Sequence, residues 1–318
     1  ETMGNSALRE LAHIEEVGLS DYHGETVAID AHHWLYRYIT SLVRYQDESV
    51  YTTEGGTEVA NLVALLRGLP TVLREDITPI FVFDGQPHEM KAGEIESRRT
   101  AKAEAAAKME AAAEEGDIEA MRRYKAQTQS LTDTVHKTTR AMLSKLGIPY
   151  VEAGGPGEAY AAKLVEKGYA SAALTDDYDA LLFGSPETVR QYSGKGPAEQ
   201  MVLAPTLQAH EVTHEQLIDI ALLCGTDYND GVSGIGPKRG LKYIRKHGRA
   251  EGVLEQRGET ITHLDQLREL FLEPQTGTFP SSTPTRTTPD YTAVVSYARD
   301  WELPGEFIRK NINRFPGY

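Results

Sequence analysis

The feature that most constrains this chain is an apolar segment ending in aspartate, and it occurs three times. Thr26-Val27-Ala28-Ile29 runs into Asp30, Pro79-Ile80-Phe81-Val82-Phe83 runs into Asp84, and Ala172-Ala173-Leu174-Thr175 runs into Asp176, Asp177 and Asp179. Short runs that are apolar on both faces read as buried strands of a parallel sheet. Helical spacing fills the intervals. Val59 to Leu73 carries Leu62, Leu65, Leu66, Leu69, Val72 and Leu73, with Pro70 expected to kink or interrupt it. Thr132 to Leu146 and Ala159 to Lys167 also read as helices. The alternation predicts an α/β fold with a mainly parallel central sheet. In such sheets the functional crevice lies outside the carboxyl ends of the strands, so three strands aim carboxylates into one region.

Composition narrows the chemistry. The 318 residues suffice for a large core, and 33 basic against 47 acidic side chains leave a net charge of −14. Indiscriminate coating of nucleic acid by a basic surface is excluded, although a local basic patch is not. Cys224 is the single cysteine, which excludes an intramolecular disulfide and a cysteine-rich zinc site. No apolar run reaches the roughly 18 residues of a membrane span and no signal peptide opens the chain, so an intracellular soluble protein without a membrane partner is expected. Arginine exceeds lysine, 20 to 13, a mix that fits a salt-adapted source and an ordinary acidic enzyme equally. Glu1 and Thr2 precede a Met3-Gly4 start and are left out of the fold reading.

Two further carboxylates point at the same region. Glu158 opens a helix after Gly154-Gly155-Pro156-Gly157, and Asp227 follows the apolar helix Leu217–Leu223 within Cys224-Gly225-Thr226-Asp227-Tyr228. Any one aspartate at a strand end is commonly just a helix cap. Several converging carboxylates repel one another and need cations. An oxygen-only set favours a hard ion, Mg²⁺ or Mn²⁺, and a pair of such ions suits phosphodiester hydrolysis. His32 and His33 adjoin Asp30, but no matching histidine spacing supports a metal role for them.

Gly231-Val232-Ser233-Gly234-Ile235-Gly236-Pro237-Lys238-Arg239-Gly240 is the sharpest local signal. Its glycines allow backbone N–H groups to approach a phosphate, and Pro237 suits the first turn of the next helix. Ser233 to Ala250 holds six basic residues and no acidic one, with Lys238, Lys242, Arg245 and Arg249 expected on one helical face. Such an element reads the backbone rather than the bases, so duplex DNA bound without sequence preference is the expected partner. Lys91 to Ser130 is rich in Ala, Glu, Lys and Arg and is expected to be helical, broken at Gly116-Asp117, and to stand out from the core. Lys91, Arg98 and Arg99 at its base either contact a scissile phosphate or are simply solvated, and Tyr36 either stacks on a base or belongs to the core. Thr276 to Asp290, rich in Thr, Ser and Pro, reads as a surface loop, and Ala293 to Asn313 as helical.

Taken in order, Val27-Ala28-Ile29-Asp30-Ala31, Phe81-Val82-Phe83-Asp84-Gly85, Leu146-Gly147-Ile148-Pro149-Tyr150, Asp176-Asp177-Tyr178-Asp179, Leu181-Leu182-Phe183-Gly184, Gly225-Thr226-Asp227-Tyr228 and Gly234-Ile235-Gly236-Pro237-Lys238 resemble the structure-specific 5′ nucleases, most closely the flap endonucleases of archaea and eukaryotes. The resemblance covers roughly residues 3–250. It implies a PIN-like core, a helical arch over about 91–130 and a helix–two-turn–helix over about 217–250. A single nuclease domain would then occupy 3–275 (parts 3–130 and 131–275), followed by a surface loop over 276–291 and a helical segment over 292–318. It also implies metal ligation by Asp30, Asp84, Glu158, Asp177, Asp179 and Asp227. Lys91 and Arg98 would act on the scissile phosphate, and Tyr36 would stack near the cut. Gly234, Gly236, Lys238, Arg239, Lys242 and Arg245 would grip the downstream duplex, with a K⁺ ion at the helix–two-turn–helix. Gly4 matches the family's second residue, which lies near the active site. The implied activity is Mg²⁺-dependent cleavage of 5′ flaps, with 5′ exonuclease action, in DNA replication and repair. The implied place is the cytoplasm or nucleoid of an archaeon, or the nucleus of a eukaryote.

Two departures qualify the resemblance. The family's Glu-x-Glu at the start of the Glu158 helix is Pro156-Gly157-Glu158 here, so one carboxylate is missing unless a neighbour such as Glu152 substitutes. The terminus Asn311-Ile312-Asn313-Arg314-Phe315-Pro316-Gly317-Tyr318 lacks the family's sliding-clamp peptide, which leaves clamp binding open. The competing reading is a junction-binding relative weakened in catalysis by Pro156. A PIN-type ribonuclease is a more distant one, which the basic hairpin argues against.

Overall fold

The computed structural model describes residues 6–85, 92–192 and 196–318. In chain order these form β1 (His13–Val17), β2 (Thr26–Asp30), α1 (Ala31–Tyr45), α2 (Ala60–Arg74), β3 (Thr78–Phe83), α3 (Ala92–Glu114), α4 (Ile118–Thr128), α5 (Asp133–Lys145), β4 (Tyr150–Glu152), α6 (Gly157–Glu166), β5 (Ala172–Leu174), α7 (Asp179–Leu182), β6 (Glu187–Arg190), β7 (Ala198–Val202), α8 (Leu203–His210), α9 (His214–Cys224), α10 (Pro237–His247), α11 (Ala250–Arg257), α12 (Leu264–Leu272), α13 (Tyr291–Asp300) and α14 (Gly305–Ile312). Gly4 and Lys91 lie outside the described residues.

The strands make one sheet in the order β1-β7-β6-β5-β2-β3-β4. Five are mutually parallel, and β7 and β1 add an antiparallel edge. The three strands expected from sequence are its centre. Their side chains alternate between two cores, as the two-residue period of a strand requires. Val27, Ile29, Phe81 and Phe83 face α1, α2, α5 and the C-terminal helices, whereas Ala28, Ile80 and Val82 face Tyr160, Ala161 and Leu164 of α6. A third cluster joins α7 to the helices around α9, with Phe183, Leu222, Ile244 and Phe271 at its heart. The strands missed from sequence are the short ones and the edge pair: β1 reads His-Ile-Glu-Glu-Val and β7 Ala-Glu-Gln-Met-Val, too polar to read as buried.

Several boundaries differ for identifiable reasons. Pro70 lies inside α2 without ending it, because the helix is buried on nearly every side and packing outweighs the lost hydrogen bond. Gly116, at φ 72°, and the Asp117 cap separate α3 from α4 as expected. The insertion does not stand wholly clear of the core, since α4 packs on α1, with Ala126 buried and Lys125 bonded to Glu48 at 2.7 Å. The segment expected as a surface loop is anchored by its aromatic: the Phe279 ring stacks on Tyr160 at 4.6 Å, and Tyr160 Oη donates to the Thr278 carbonyl at 2.9 Å. The C-terminal helices complete the main core through Val294, Ala298, Ile308 and Ile312. Among the described residues, no helix is long and apolar enough to cross a membrane.

Candidate active site

Strand register gathers the carboxylates. Asp30 pairs with Val82, and Ile29 with Leu174, so the carboxyl ends of β2, β3 and β5 are level and Asp84 lies just beyond. Asp30 ends its strand and caps α1 at once, accepting from the His33 amide at 3.0 Å. The capping role and the site role coincide in one residue. Asp30 is only 5% exposed. Burial, together with the charges of Asp84 and then Glu158, pushes its carboxyl up to about 8. A carboxyl held so far above its ordinary value is under strong anionic pressure, which a cation would relieve.

Asp84 follows β3, and one of its oxygens accepts the Gly157 amide at 2.7 Å, tying it to the start of α6. A β-carbon at Gly157 would lie 2.5 Å from that oxygen, so only glycine lets the helix start approach so closely. Pro156 caps α6 in place of the carboxylate expected there, and Glu158, buried, sits in the first turn. Glu152 does not fill the gap. Arg140 grips it through two hydrogen bonds of 2.6 and 2.9 Å.

Asp177, Asp179 and Asp227 form the tightest group, with one ligand oxygen from each all within 4.8 Å of one another. Two come from the β5–α7 junction, where the Asp179 amide donates to Asp177 at 2.9 Å. Asp227 comes from a turn braced by Asn229, which donates to the Leu222 carbonyl at 2.8 Å. Arg98, from the lower part of α3, brings its guanidinium to 3.6 Å from Asp227. The expected arch-base arginine therefore stands against the acidic cluster, with a side chain about half exposed.

Asp176, adjacent in sequence to two of these groups, plays another part. Arg37 holds it at 2.7 Å, His33 lies at 3.2 Å, and the Gln191 amide donates to it at 2.5 Å. Burial alone would raise its pKa, but His33 and Arg37 win and lower it to about 2. The buried Arg190 bonds the Asp176 carbonyl through two nitrogens, at 3.1 and 3.0 Å, and lies over the Tyr178 ring at 3.6 Å. This hub locks α1 to the loop carrying Asp177 and Asp179. Sequence reading named His33 without giving it this role and missed Arg37 and Arg190. Only the polar interruption of otherwise apolar segments hinted at them.

The basic hairpin joins α9 to α10. Val232 and Ile235 are buried and anchor it, while Gly234 and Gly236 are exposed and Gly234 adopts φ 76°. Lys238 (85% exposed) and Lys242 project into solvent beyond them. Arg239 donates to the Gly234 carbonyl at 2.8 Å and braces the turn. Arg245 is exposed but bonds the His210 carbonyl through two nitrogens, at 3.1 and 2.7 Å. The basic face is shorter than expected: α10 ends at His247, and Arg249 lies beyond it, beside Glu215. Tyr36 lies on α1, half buried and outside the core clusters.

Comparison with known proteins identifies the family to which this fold and cluster belong. The family models for the XPG N-terminal domain and the XPG I-region match residues 5–105 and 147–227. Flap endonuclease 1 of Haloquadratum walsbyi is 46% identical over 313 residues, covering 98% of this chain and 96% of that protein. Its counterpart in Haloarcula marismortui is 44% identical with the same coverage. The structure of flap endonuclease-1 from Methanococcus jannaschii superposes with a TM-score of 0.74 at 31% identity, over 96% of each chain. The catalytic core of Rad2 in complex with DNA substrate gives 0.72 at 20% identity, over 94% and 95%, a likeness of fold. The chain belongs to the flap endonuclease family.

Proposed function

We propose that this protein is a structure-specific 5′ flap endonuclease that hydrolyses a phosphodiester of branched DNA at the single-strand/duplex junction. It would use a pair of divalent ions, Mg²⁺ with Mn²⁺ able to replace it. The observation that carries the reading is the Asp177–Asp179–Asp227 group, within 4.8 Å, under an arginine of the arch base. The donor set fits hard cations: all six candidate carboxylates offer oxygen, and burial with the charges of Asp84 and Glu158 pushes Asp30 up to about 8 against the opposing pull of His33. When bound, such ions polarise the phosphate and lower the pKa of the attacking water.

The chain's own residues supply positioning. Asp177, Asp179 and Asp227 would hold one ion, and Asp30, Asp84 and Glu158 the other. Arg98 would exchange its contact with Asp227 for a phosphate oxygen, and Lys91, at the same arch base, would assist. Tyr36 would stack on the base beside the cut. Gly234, Gly236, Lys238 and Lys242 would seat the downstream duplex through its phosphates, with Arg239 and Arg245 completing the basic face. A K⁺ ion at the hairpin, 5′ exonuclease action from the same site, and a role in replication and repair in the nucleoid or nucleus belong to this reading. A labelled 5′-flap duplex tests it. Flap release with Mg²⁺, abolished by EDTA, is expected. Tight binding without release would favour a junction-binding protein instead.

A further inference from the structure

We propose that His32 is a nitrogen ligand to the ion held at Asp84, so that this site accepts a first-row transition cation more readily, relative to Mg²⁺, than an oxygen-only site would, with Mn²⁺ as the paramagnetic probe. The inference rests on the metal-dependent reading above and deepens it. His32 stands in the first turn of α1, two residues past Asp30, with its side chain 36% exposed. Its Nδ1 lies 3.4 Å from Asp84 Oδ2. Two donor atoms bonded at about 2.1 Å to one ion at right angles lie roughly 3 Å apart, so this spacing suits two neighbouring ligands.

The other Asp84 oxygen accepts the Gly157 amide at 2.7 Å, so the two oxygens have different neighbours and it is Oδ2 that lies near His32. The carboxylate missing at Pro156 would have stood one residue from Gly157, against this same aspartate. The nearest replacement by sequence, Glu152, is immobilised by Arg140, whose guanidinium also lies 4.1 Å over the Phe83 ring. An imidazole thus adjoins the one position where the oxygen set is a ligand short. Imidazole suits Zn²⁺, Fe²⁺ and Ni²⁺, and Mn²⁺ gives up water for it more readily than Mg²⁺, which demands oxygen and dehydrates reluctantly. Exchanging a carboxylate for an imidazole therefore changes which ion the site selects.

Pulsed electron paramagnetic resonance on DNA-free protein loaded with substoichiometric Mn²⁺ tests this without any turnover. Wild type is expected to show ¹⁴N coupling from a directly bound imidazole. The coupling should vanish in His32→Ala and persist in His136→Ala, an imidazole further along the same wall. By titration, the ratio of Mn²⁺ to Mg²⁺ affinity should fall on the order of 10–100-fold in His32→Ala. The double variant His32→Ala/Pro156→Glu, an oxygen-only site, should recover Mg²⁺ affinity. Bound Mn²⁺ without ¹⁴N coupling, or coupling retained in His32→Ala, overturns the proposal and leaves the metal-dependent reading standing. Failure to bind Mn²⁺ at all overturns both. A melting curve matching wild type excludes misfolding of His32→Ala as the cause.

Discussion

Asp30 is buried among like charges, and its raised pKa makes it a cost to the metal-free fold. Its value of about 8 in the folded chain exceeds the 3.8 of a free carboxyl. The folded state therefore keeps a proton that the unfolded state loses, and stability falls as pH rises from about 4 to about 8. Asp30→Asn, which keeps the cap, is expected to raise the melting temperature of EDTA-treated protein. The gain should be negligible near pH 4, grow to a few kcal/mol by about pH 8 and then level off. Melting curves across that range check it, and a gain independent of pH would contradict the burial argument. Asp179 serves a different purpose. Asp179→Ala is expected to lower flap cleavage by at least about 10³-fold. DNA binding should be kept or slightly improved, since an anion facing phosphate is removed. Equal loss of both would show that Asp179 holds the fold rather than an ion.

At the scale of elements, the hairpin and its helices form a unit with its own anchorage. Asp219 of α9, almost wholly buried, accepts from Arg268 at 2.8 Å and from the Ala250 amide at 2.8 Å, so one carboxylate ties α9, α11 and α12 together. Asp219→Ala strands the buried guanidinium and is expected to cost about 3 kcal/mol in denaturant unfolding. A loss below about 1 kcal/mol would mean that Glu251 and Asp265, which also contact Arg268, suffice. Lys242 is exposed on α10. Lys242→Glu is expected to leave the melting temperature unchanged, weaken duplex binding and reduce the salt slope of log K by about 1. An unchanged slope would place the duplex elsewhere. The arch is an element of mixed character: its outer helix is polar on most sides, yet α4 is fastened to α1, the helix that begins at Asp30. Contact between arch and site thus runs through packing as well as through Arg98.

For the whole molecule, the net charge of −14 sets two effects against each other. Salt screens the self-repulsion of the acidic surface, so the melting temperature is expected to rise with salt, from low levels to about 1 M. DNA binding through the basic hairpin should weaken over the same range. Parallel melting and binding titrations check this, and a melting temperature indifferent to salt would mean that the acidic charges are already paired. The central strands and their terminal aspartates were legible in the sequence because burial on both faces and abrupt polar endings are local properties. The polar edge strands were not, because β1 and β7 are specified by pairing with each other across most of the chain length. The same divide runs through the site. Residue type and order marked the carboxylates at the strand ends and the glycine-rich hairpin, and the family resemblance added Arg98 and the choice of six ligands. Only the tertiary structure showed what sets Asp176 apart from its neighbour Asp177, its neutralisation by Arg37 and His33, and brought His32 against Asp84. A side chain's charge is written in the sequence, but its partners are chosen by which strand ends the sheet sets side by side.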